Sequence, residues 1–262
     1  GFGWDVGPFE TWDLIGFDKV LSNIEKAGYV VPQWITDFKA KGNSSFYKSE
    51  DGKRKFYSIA KGEYEVIPGT EAFIVLDNFK SAEPVYTNKE ATLHDIGDGV
   101  LCLEFHSKMN AIGSGTLSAI NKSIEIAEKE GWKGLVIGND APNFSAGANL
   151  AMMLMLAIEQ EFDELNMVIS YFQKTVMRLR YSSVPVVIAP HGLTLGGGCE
   201  MTLHSDAAVA SAETYIGLVE AGVGLIPGGG GTKEFVVRTS DSFYAGDPQL
   251  PKLIERFQTI AT

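Results

Sequence analysis

Two glutamates in glycine-rich stretches are the residues of this chain best suited to chemistry. Glu200 follows three consecutive glycines in LTLGGGCEMTLH, and Glu220 stands in YIGLVEAGVGLIPGGGGT among apolar residues and glycines. Burial disfavours the charged form of a carboxyl, so we expect a raised pKa for Glu220 and proton exchange near neutrality. A single glutamate such as Glu220 is more often a capping or ion-paired structural acid. The two together with their glycines indicate acid–base catalysis.

The glycines before Glu200 lie at the start of a predicted helix. VPVVIAPHG predicts a strand, LTLGGG a loop and CEMTLH the first turns of a helix. Glycine lets a backbone approach another group closely, and free N–H groups at a helix start attract negative charge. The glycines therefore indicate either tight packing of helix on strand or a backbone donor for an oxygen that becomes anionic during a reaction. A phosphate loop is disfavoured, because GGGCEM lacks a following Lys-Ser/Thr and the GxGxxG spacing.

A second loop offers another backbone donor. NFSAGANL, residues 143–150, follows the predicted strand GLVIGND and combines small residues with Gly147. An N–H group from this loop, aimed at the same oxygen as one from LGGGCE, would complete a two-donor site.

The elements around these loops predict an α/β fold. FDELNMVISYFQKTVMRLR has apolar residues three and four apart, which predicts a helix, and TLSAINKSIEIAEKEG predicts another that ends at Gly131. GVLCLEFH, GLVIGN, VPVVIAP and DAAVASA predict strands. Strands that alternate with helices favour a parallel sheet with crossover helices.

The first 60 residues have a different texture. They are rich in aromatic residues, and FDKVLSNIEKAGY predicts a short helix stopped by Gly28. Residues 50–53 predict a turn between two aromatic strands. Residues 61–86 show little hydrophobic periodicity and contain the structure-breaking residues Pro68-Gly69 and Pro84, so they predict a linker.

Composition narrows the classes of function. The net charge of −11 and the pI near 4.9 argue against broad nucleic-acid binding, which needs a basic surface. No apolar run reaches the roughly 18 residues of a membrane span. The two cysteines give no disulfide framework and no metal site, and they favour a reducing compartment such as the cytoplasm. We expect Cys199 to be a packing residue, and we assign no catalytic role to His106, His191 or His204, which lack metal spacing.

Three ordered motifs resemble those of the crotonase (enoyl-CoA hydratase/isomerase) superfamily. They are SAGANL, LGGGCE and GLVEAGVGLIPGGGGT, which occur in that order between Ala91 and Thr232. HSKMNAIG stands where that family carries its CoA-binding segment. The resemblance implies a crotonase-like spiral of ββα units, usually assembled into trimers or paired trimers, and acyl-CoA thioesters as substrates.

The resemblance also implies a role for each matching residue. The backbone N–H groups of Ala148 and Gly197 would form an oxyanion hole for the thioester carbonyl. Glu200 and Glu220 match both glutamates of the hydratases, which add water to a 2-enoyl thioester, and Glu220 would deliver the proton at C2. The implied substrate-binding residues are Lys108, Asn110, Ala111, Ala146, Gly147 and Gly196. A solvated loop cation is an equally good interpretation of Lys108.

Two other functions remain open at this stage. A Δ3-Δ2-enoyl-CoA isomerase would use the same two carboxyls and would process a 3-enoyl thioester faster than a 2-enoyl one. A non-catalytic acyl-CoA-binding module would bind without turnover. Possession of both glutamates favours hydration, because many relatives with other chemistries keep one of the two or neither.

The beginning of the chain carries a second resemblance. GFGWDVGPFETWDLIG resembles the C-terminal domain of 3-hydroxyacyl-CoA dehydrogenases, and the order of the two resemblances indicates a fragment of a bacterial fused β-oxidation protein. We expect residues 1–60 to be the mainly helical end of that domain, 61–86 a linker and 87–262 a crotonase domain truncated at its C-terminal end.

The fused protein implied by this resemblance has further components. The nucleotide-binding fold of a dehydrogenase is not in this sequence, so NAD is expected for that missing part and no cofactor for this fragment. A homo-oligomer and a thiolase partner are implied for the full-length protein.

Overall fold

The computed structural model describes residues 6–70, 73–80 and 82–261. The chain divides after Ala82 into two compact units. Among the described residues, the helices are all too short or too polar to cross a membrane.

The first unit combines short helices with a small antiparallel sheet. Its elements are α1 (Pro8–Ile15), α2 (Phe17–Lys26), α3 (Gln33–Ala40), β1 (Tyr47–Glu50), β2 (Lys53–Ser58) and β3 (Glu63–Val66), with the strands in the order β1-β2-β3. Its core is aromatic and aliphatic: Phe17, Leu21, Ile35, Phe38 and Phe46. The predicted turn joins β1 to β2, because Asp51 and Gly52 both have the positive φ that a tight hairpin turn requires. The GFGW part of the first motif lies outside the described residues.

The segment predicted as a linker differs from that prediction. Within residues 61–86, β3 pairs with β2 from Lys55–Val66 to Ser58–Glu63, and residues 76–78 form a 3-10 turn. The sequence EYEV is too short and too charged to indicate a strand by its own pattern, so pairing with β2 determines its conformation. The first unit accordingly continues to Ala82.

The second unit is built on a six-stranded mixed sheet in the order β10-β8-β7-β6-β5-β4. The strands are β4 (Tyr86–Thr87), β5 (Ala91–Asp95), β6 (Val100–Phe105), β7 (Gly134–Ile137), β8 (Val186–Ile188), β9 (Leu193–Leu195), β10 (Ala207–Ala208) and β11 (Tyr215–Gly217). The helices are α4 (Ser114–Lys129), α5 (Leu150–Ile158), α6 (Phe162–Arg180), α7 (Gly197–Leu203), α8 (Gly231–Ser240) and α9 (Gln249–Ala261). Strands β6, β7, β8 and β10 run parallel to one another, while β5 is antiparallel to both β6 and β4, so the sheet is mixed and not parallel throughout as predicted. The predicted α/β class is confirmed.

The core of the second unit lies between the sheet and two crossover helices. Helix α4 packs on β5, β6 and β7, and it also packs against α6. Alternate residues of the strands, such as Leu101, Leu103, Leu135 and Ile137, are fully buried there. The helix predicted at residues 162–180 has the bounds that its apolar spacing indicates, and Phe172 and Val176 lie on its buried face.

A short parallel pair of strands introduces the glycine-rich helix. The prediction of a loop over LTLGGG is wrong for its first half, because Leu193–Leu195 forms β9 and pairs with β11. Three residues are too few to show the alternation of a strand, so the pairing partner decides the structure. Helix α7 then begins at Gly197, two residues before the predicted CEMTLH.

Candidate functional site

Gly196 joins β9 to α7 at a point where side chains are excluded. Its φ is 50°, a conformation that favours glycine, and its N–H donates to the carbonyl of Gly217 at 2.9 Å. A Cβ at this position would stand 3.1 Å from Oε1 of Glu220. The start of α7 therefore packs directly against the Glu220 carboxyl.

The loop predicted to supply a second donor lies along β9. Ser145 donates its N–H to the carbonyl of Leu193 at 3.1 Å, and its own carbonyl accepts from the N–H of Leu195 at 3.0 Å. Gly147 has a φ of 89°, and a Cβ there would lie 2.8 Å from the carbonyl oxygen of Leu195 and 3.3 Å from the nitrogen of Gly197. The structure thus brings the SAGA and GGG loops into contact, and only glycine fits at residue 147.

The N–H groups of Ala148 and Gly197 are both available as donors. Gly197 is the first residue of α7, so its N–H has no partner within the helix. Ala148 stands just before Asn149, whose side chain caps α5 by accepting from the N–H of Met152. Neither N–H donates a hydrogen bond to another described residue. Two unpaired donors on adjacent loops are what a developing oxyanion would require.

The Glu200 carboxyl is enclosed by the glycine run at residues 228–231. Glu200 is only 3% exposed, and its Oε1 accepts a hydrogen bond from the N–H of Gly231 at 2.9 Å. A Cβ on Gly229 would overlap Oε2 of Glu200 and the ring of Phe172. The pKa of Glu200 is raised to about 7: burial is the largest cause and the charge of Glu220 adds to it, while the backbone N–H groups of residues 229–231 offset part of the rise.

Glu220 opens a 3-10 turn, Glu220–Val223, on the other side of Gly196. Burial raises its pKa above the ordinary value. Its Oε2 is the one buried side-chain nitrogen or oxygen among the described residues that has no hydrogen-bond partner. Because buried polar atoms are normally paired, an unpaired carboxyl oxygen in this position points to a ligand or a transferred proton.

The two carboxyls interact electrostatically. The charge of Glu220 is one cause of the raised pKa of Glu200. The charges of both glutamates also raise the pKa of Cys199. Two nearby carboxylates repel each other, so the charge of Glu220 disfavours ionisation of Glu200. The site can therefore accept a proton at one carboxyl and donate one from the other.

The predicted CoA-binding segment is attached to the SAGA loop. Asn110 is buried and donates its Nδ2 to the carbonyl of Asn143 at 3.1 Å, while the Ser145 hydroxyl donates to the Asn110 carbonyl at 2.8 Å. Ala146 donates its N–H to the carbonyl of Met109 at 3.2 Å. The Asn110 side chain therefore holds the two loops together. Binding of substrate by Lys108, Asn110 and Ala111 remains a prediction.

The thiol of Cys199 is embedded behind the site. Burial raises its pKa to about 12, with further contributions from Glu220 and Glu200. Since the thiolate is the nucleophile, such a thiol is inert at neutral pH. This agrees with the expected packing role. No group of three or more metal-ligating side chains occurs among the described residues.

Two parts of the site were missed by sequence reasoning. Residues 229–231 belong to the motif GLVEAGVGLIPGGGGT, but the sequence alone did not indicate that they enclose the Glu200 carboxyl. Phe172 was predicted only as one of the regularly spaced apolar residues of the helix FDELNMVISYFQKTVMRLR. Four successive glycines after Pro227 were the available signal, because such a run is costly unless another group needs the space.

Burial of Glu200 predicts that Glu200→Gln stabilises the fold at alkaline pH. The folded-state pKa of about 7 lies above the ordinary 4.5, so the free energy of unfolding falls as pH rises through this window. The uncharged amide avoids that loss. We expect Glu200→Gln to unfold like the parent below pH 4.5 and to be more stable by up to about 3 kcal/mol at pH 8.

Urea unfolding at both pH values measures this difference. Glu130→Gln, the same substitution at an exposed glutamate that follows α4, is the matched control. Equal stabilities of Glu200→Gln and the parent at pH 8 would contradict the proposed burial effect.

Comparison with known proteins places this site in a family context. The profile of the family "Enoyl-CoA hydratase/isomerase" matches residues 95–242, more than half of the chain. A Bacillus subtilis protein named "Probable 3-hydroxyacyl-CoA dehydrogenase" is 45% identical over 100% of this chain and 32% of its own length. A Rickettsia felis protein described as a fatty acid oxidation complex trifunctional enzyme is 32% identical over 91% of this chain and 30% of its own length. The chain spans about a third of these relatives.

Solved structures share the fold of about two thirds of this chain. An enoyl-CoA hydratase from Geobacillus kaustophilus has a TM-score of 0.56 and 22% identity, covering 67% of this chain and 62% of that one. An enoyl-CoA hydratase/isomerase from Marinobacter aquaeolei has a TM-score of 0.55 and 18% identity, covering 66% and 62%. The crotonase-like α/β fold implied by the motifs is confirmed.

Proposed function

The chain belongs to the enoyl-CoA hydratase/isomerase family, the crotonase superfamily, and on this basis we propose that it adds water to the double bond of a 2-enoyl-CoA thioester. The product is a 3-hydroxyacyl-CoA. The observation that carries the proposal is the pair Glu200 and Glu220, a buried and a half-buried carboxyl, both with raised pKa values, beside two unpaired backbone donors.

The backbone donors would polarise the substrate. The thioester carbonyl oxygen accepts from the N–H groups of Ala148 and Gly197, and it becomes enolate-like as the nucleophile adds. Gly197 opens a helix, whose positive end adds to the stabilisation of negative charge. Loss of one such donor typically costs about 10²–10³ in rate.

The carboxyls would handle the protons. Ionised Glu200 removes a proton from water as the water oxygen bonds to C3, and the electrons of the double bond move toward the thioester carbonyl. Protonated Glu220 then delivers its proton to C2. One hydroxyl and one proton are added, and the site ends with the proton on Glu200 instead of Glu220.

The loops around the pair would hold the thioester. Ala146, Gly147 and Gly196 supply backbone next to the acyl carbonyl, and positive φ at the two glycines keeps this backbone free of side chains. The segment containing Lys108, Asn110 and Ala111 borders the CoA moiety in the proposed complex, with Lys108 as a phosphate contact.

We propose that the chain is part of a larger multifunctional enzyme of fatty-acid β-oxidation. The relatives named as a dehydrogenase and as a trifunctional enzyme, each about three times as long, support this. The first unit would be the end of a 3-hydroxyacyl-CoA dehydrogenase C-terminal domain, and NAD would serve the dehydrogenase part. A homo-oligomer and a thiolase partner belong to the same proposal.

Loss of the conjugated enoyl-thioester absorbance with 2-enoyl-CoA tests the proposed reaction. Turnover to the 3-hydroxyacyl thioester supports hydration. Faster conversion of a 3-enoyl thioester into a 2-enoyl one would favour an isomerase, and tight binding with no conversion of either substrate would favour a binding module. Either result overturns the proposal.

The pH profile of this reaction should be bell-shaped. Glu200 must be ionised to act as the base, and its pKa is raised to about 7, so kcat/KM rises as pH increases through about 7. Glu220 must be protonated, and burial raises its pKa above the ordinary value, so activity falls as this carboxyl ionises. A steady-state profile of the parent chain measures both limbs. An acid limb near the ordinary carboxyl pKa of 4.5 would contradict the assignment of Glu200 as base.

A further inference from the structure

His204 ends α7 one helical turn after Glu200 and is fully buried. Its Nδ1 lies 2.6 Å from the carbonyl oxygen of Glu200. The backbone N–H of His204 bonds instead to the carbonyl of Met201 at 3.1 Å, so the Glu200 carbonyl would otherwise be one of the unsatisfied carbonyls of a helix end. The imidazole therefore completes the hydrogen bonding of the turn that carries Glu200.

The other ring nitrogen fixes the tautomer. Nε2 of His204 lies 2.9 Å from Nζ of Lys233, and an ammonium group can only donate. Nε2 must then accept, and the proton stays on Nδ1, where it faces the Glu200 carbonyl. Burial lowers the pKa of His204, and the neighbouring Lys233 charge acts in the same direction. Both effects keep the ring neutral.

An ion cluster around the buried Glu234 carboxylate holds Lys233 and the neighbouring helices. Glu234 is fully buried, and its Oε1 accepts from Lys233 at 2.6 Å while its Oε2 accepts from Nη1 of Arg180 at 2.7 Å. Arg238 lies 3.5 Å from the same Oε2. Glu234 Oε1 is also 3.4 Å from His204 Nε2. The charged groups facing the imidazole thus come from α6 and α8, with Glu200 itself on α7.

The imidazole also supports the loop that encloses the Glu200 carboxyl. A Cβ on Gly230 would stand 2.8 Å from Cε1 and 3.0 Å from Nε2 of His204, so the ring packs beneath this loop. The next residue, Gly231, donates its N–H to Glu200 Oε1. His204 consequently acts on Glu200 at both ends, through the carbonyl directly and through the carboxyl by way of the loop.

We propose that His204 is a positioning residue for Glu200, held as the neutral Nδ1–H tautomer by Lys233, whose ammonium group is in turn held by Glu234. It touches no reacting atom. It fixes the backbone turn that carries Glu200 and the glycine loop that holds the Glu200 carboxyl. The effect on turnover rests on the proposed function, whereas the tautomer does not.

A pair of substitutions separates the hydrogen bond from packing. Asn at a helix position can donate to the carbonyl four residues before, as Asn121 does to Leu117 at 2.9 Å in α4. His204→Asn keeps the donor and loses volume, while His204→Leu keeps volume and loses the donor. We expect kcat of His204→Asn to stay within about fivefold of the parent, and that of His204→Leu to fall about 10²-fold with KM within about twofold. Parental kcat in His204→Leu, or a change in KM instead of kcat, overturns the proposal.

A measurement without turnover keeps this test separate from the hydratase assay. Ring ¹⁵N NMR, with the His204 signals assigned by their absence in His204→Asn, should show a proton on Nδ1 and a bare Nε2 at neutral pH. In Lys233→Met, a change at a half-exposed residue, Nε2 faces Glu234 without the ammonium, so His204 should take up a proton at higher pH than in the parent. A proton on Nε2 of the parent overturns the proposal even if the chain proves inactive on every thioester, and parent inactivity alone overturns only the proposed function.

Discussion

Glu200→Gln and Glu220→Gln should each lower kcat for hydration of a 2-enoyl-CoA by about 10²–10⁴-fold, with KM changed little. The amide is close in shape to the carboxyl and can still accept the Gly231 N–H, but it can neither take a proton from water nor deliver one to C2. The absorbance assay on purified variants measures the loss.

Folding cannot explain this expected loss. Glu200→Gln is predicted to be more stable than the parent at the alkaline end of the assay range, and Glu130→Gln should retain parental kcat. The double variant should be little worse than either single one, because the two carboxyls act as a unit. Parental activity in Glu200→Gln or in Glu220→Gln would remove that residue from the mechanism.

Gly229→Ala should damage the site through a single methyl group. Its Cβ would overlap Oε2 of Glu200 and the ring of Phe172, so either the carboxyl or α6 must move. We expect kcat to fall about 10²-fold, since small displacements of a reacting group have effects of that size. Overpacking should also cost about 1–3 kcal/mol of unfolding free energy, measurable by urea denaturation.

The neighbouring Gly228→Ala is the matched control. Neither glycine has a positive φ, so backbone conformation does not distinguish them. The nearest atom to a Cβ on Gly228 is the carbonyl oxygen of Ile226 at 3.7 Å, an ordinary contact. Gly228→Ala should therefore keep both stability and activity. Equal behaviour of the two variants would mean that the glycine run does not enclose Glu200 as described.

Local sequence patterns were sufficient for α4 and α6, the two longest helices of the second unit. The apolar spacing in residues 162–180 gave α6 its correct bounds, because a long helix with one buried face repeats its signal over five turns. Strands β3 and β9 were missed, because each is a three- or four-residue segment whose conformation depends on a partner elsewhere in the chain. Helix α7 begins earlier than predicted because it follows directly on β9, whose pairing with β11 was not predicted.

The candidate site was likewise only partly predictable from the sequence. Glu200 and Glu220 could be selected from the sequence, because carboxylates are uncommon among glycines and apolar residues. Their coupling could not be derived from spacing, since β11 and the turn after it bring residue 220 back beside Gly196. His204 carries no local signal at all, because its partners Lys233 and Glu234 lie on a helix that starts 27 residues later in the chain.

Reaction of the chain with 2-enoyl-CoA in ¹⁸O-labelled water tests the central claim most directly. Mass spectrometry of the thioester product, compared with a reaction in ordinary water, shows whether the elements of water have been added. We predict that the parent chain forms a 3-hydroxyacyl-CoA carrying one ¹⁸O at C3 and that Glu200→Gln does not form this product. A product of unchanged mass, an isomer with a displaced double bond, or no product would contradict it.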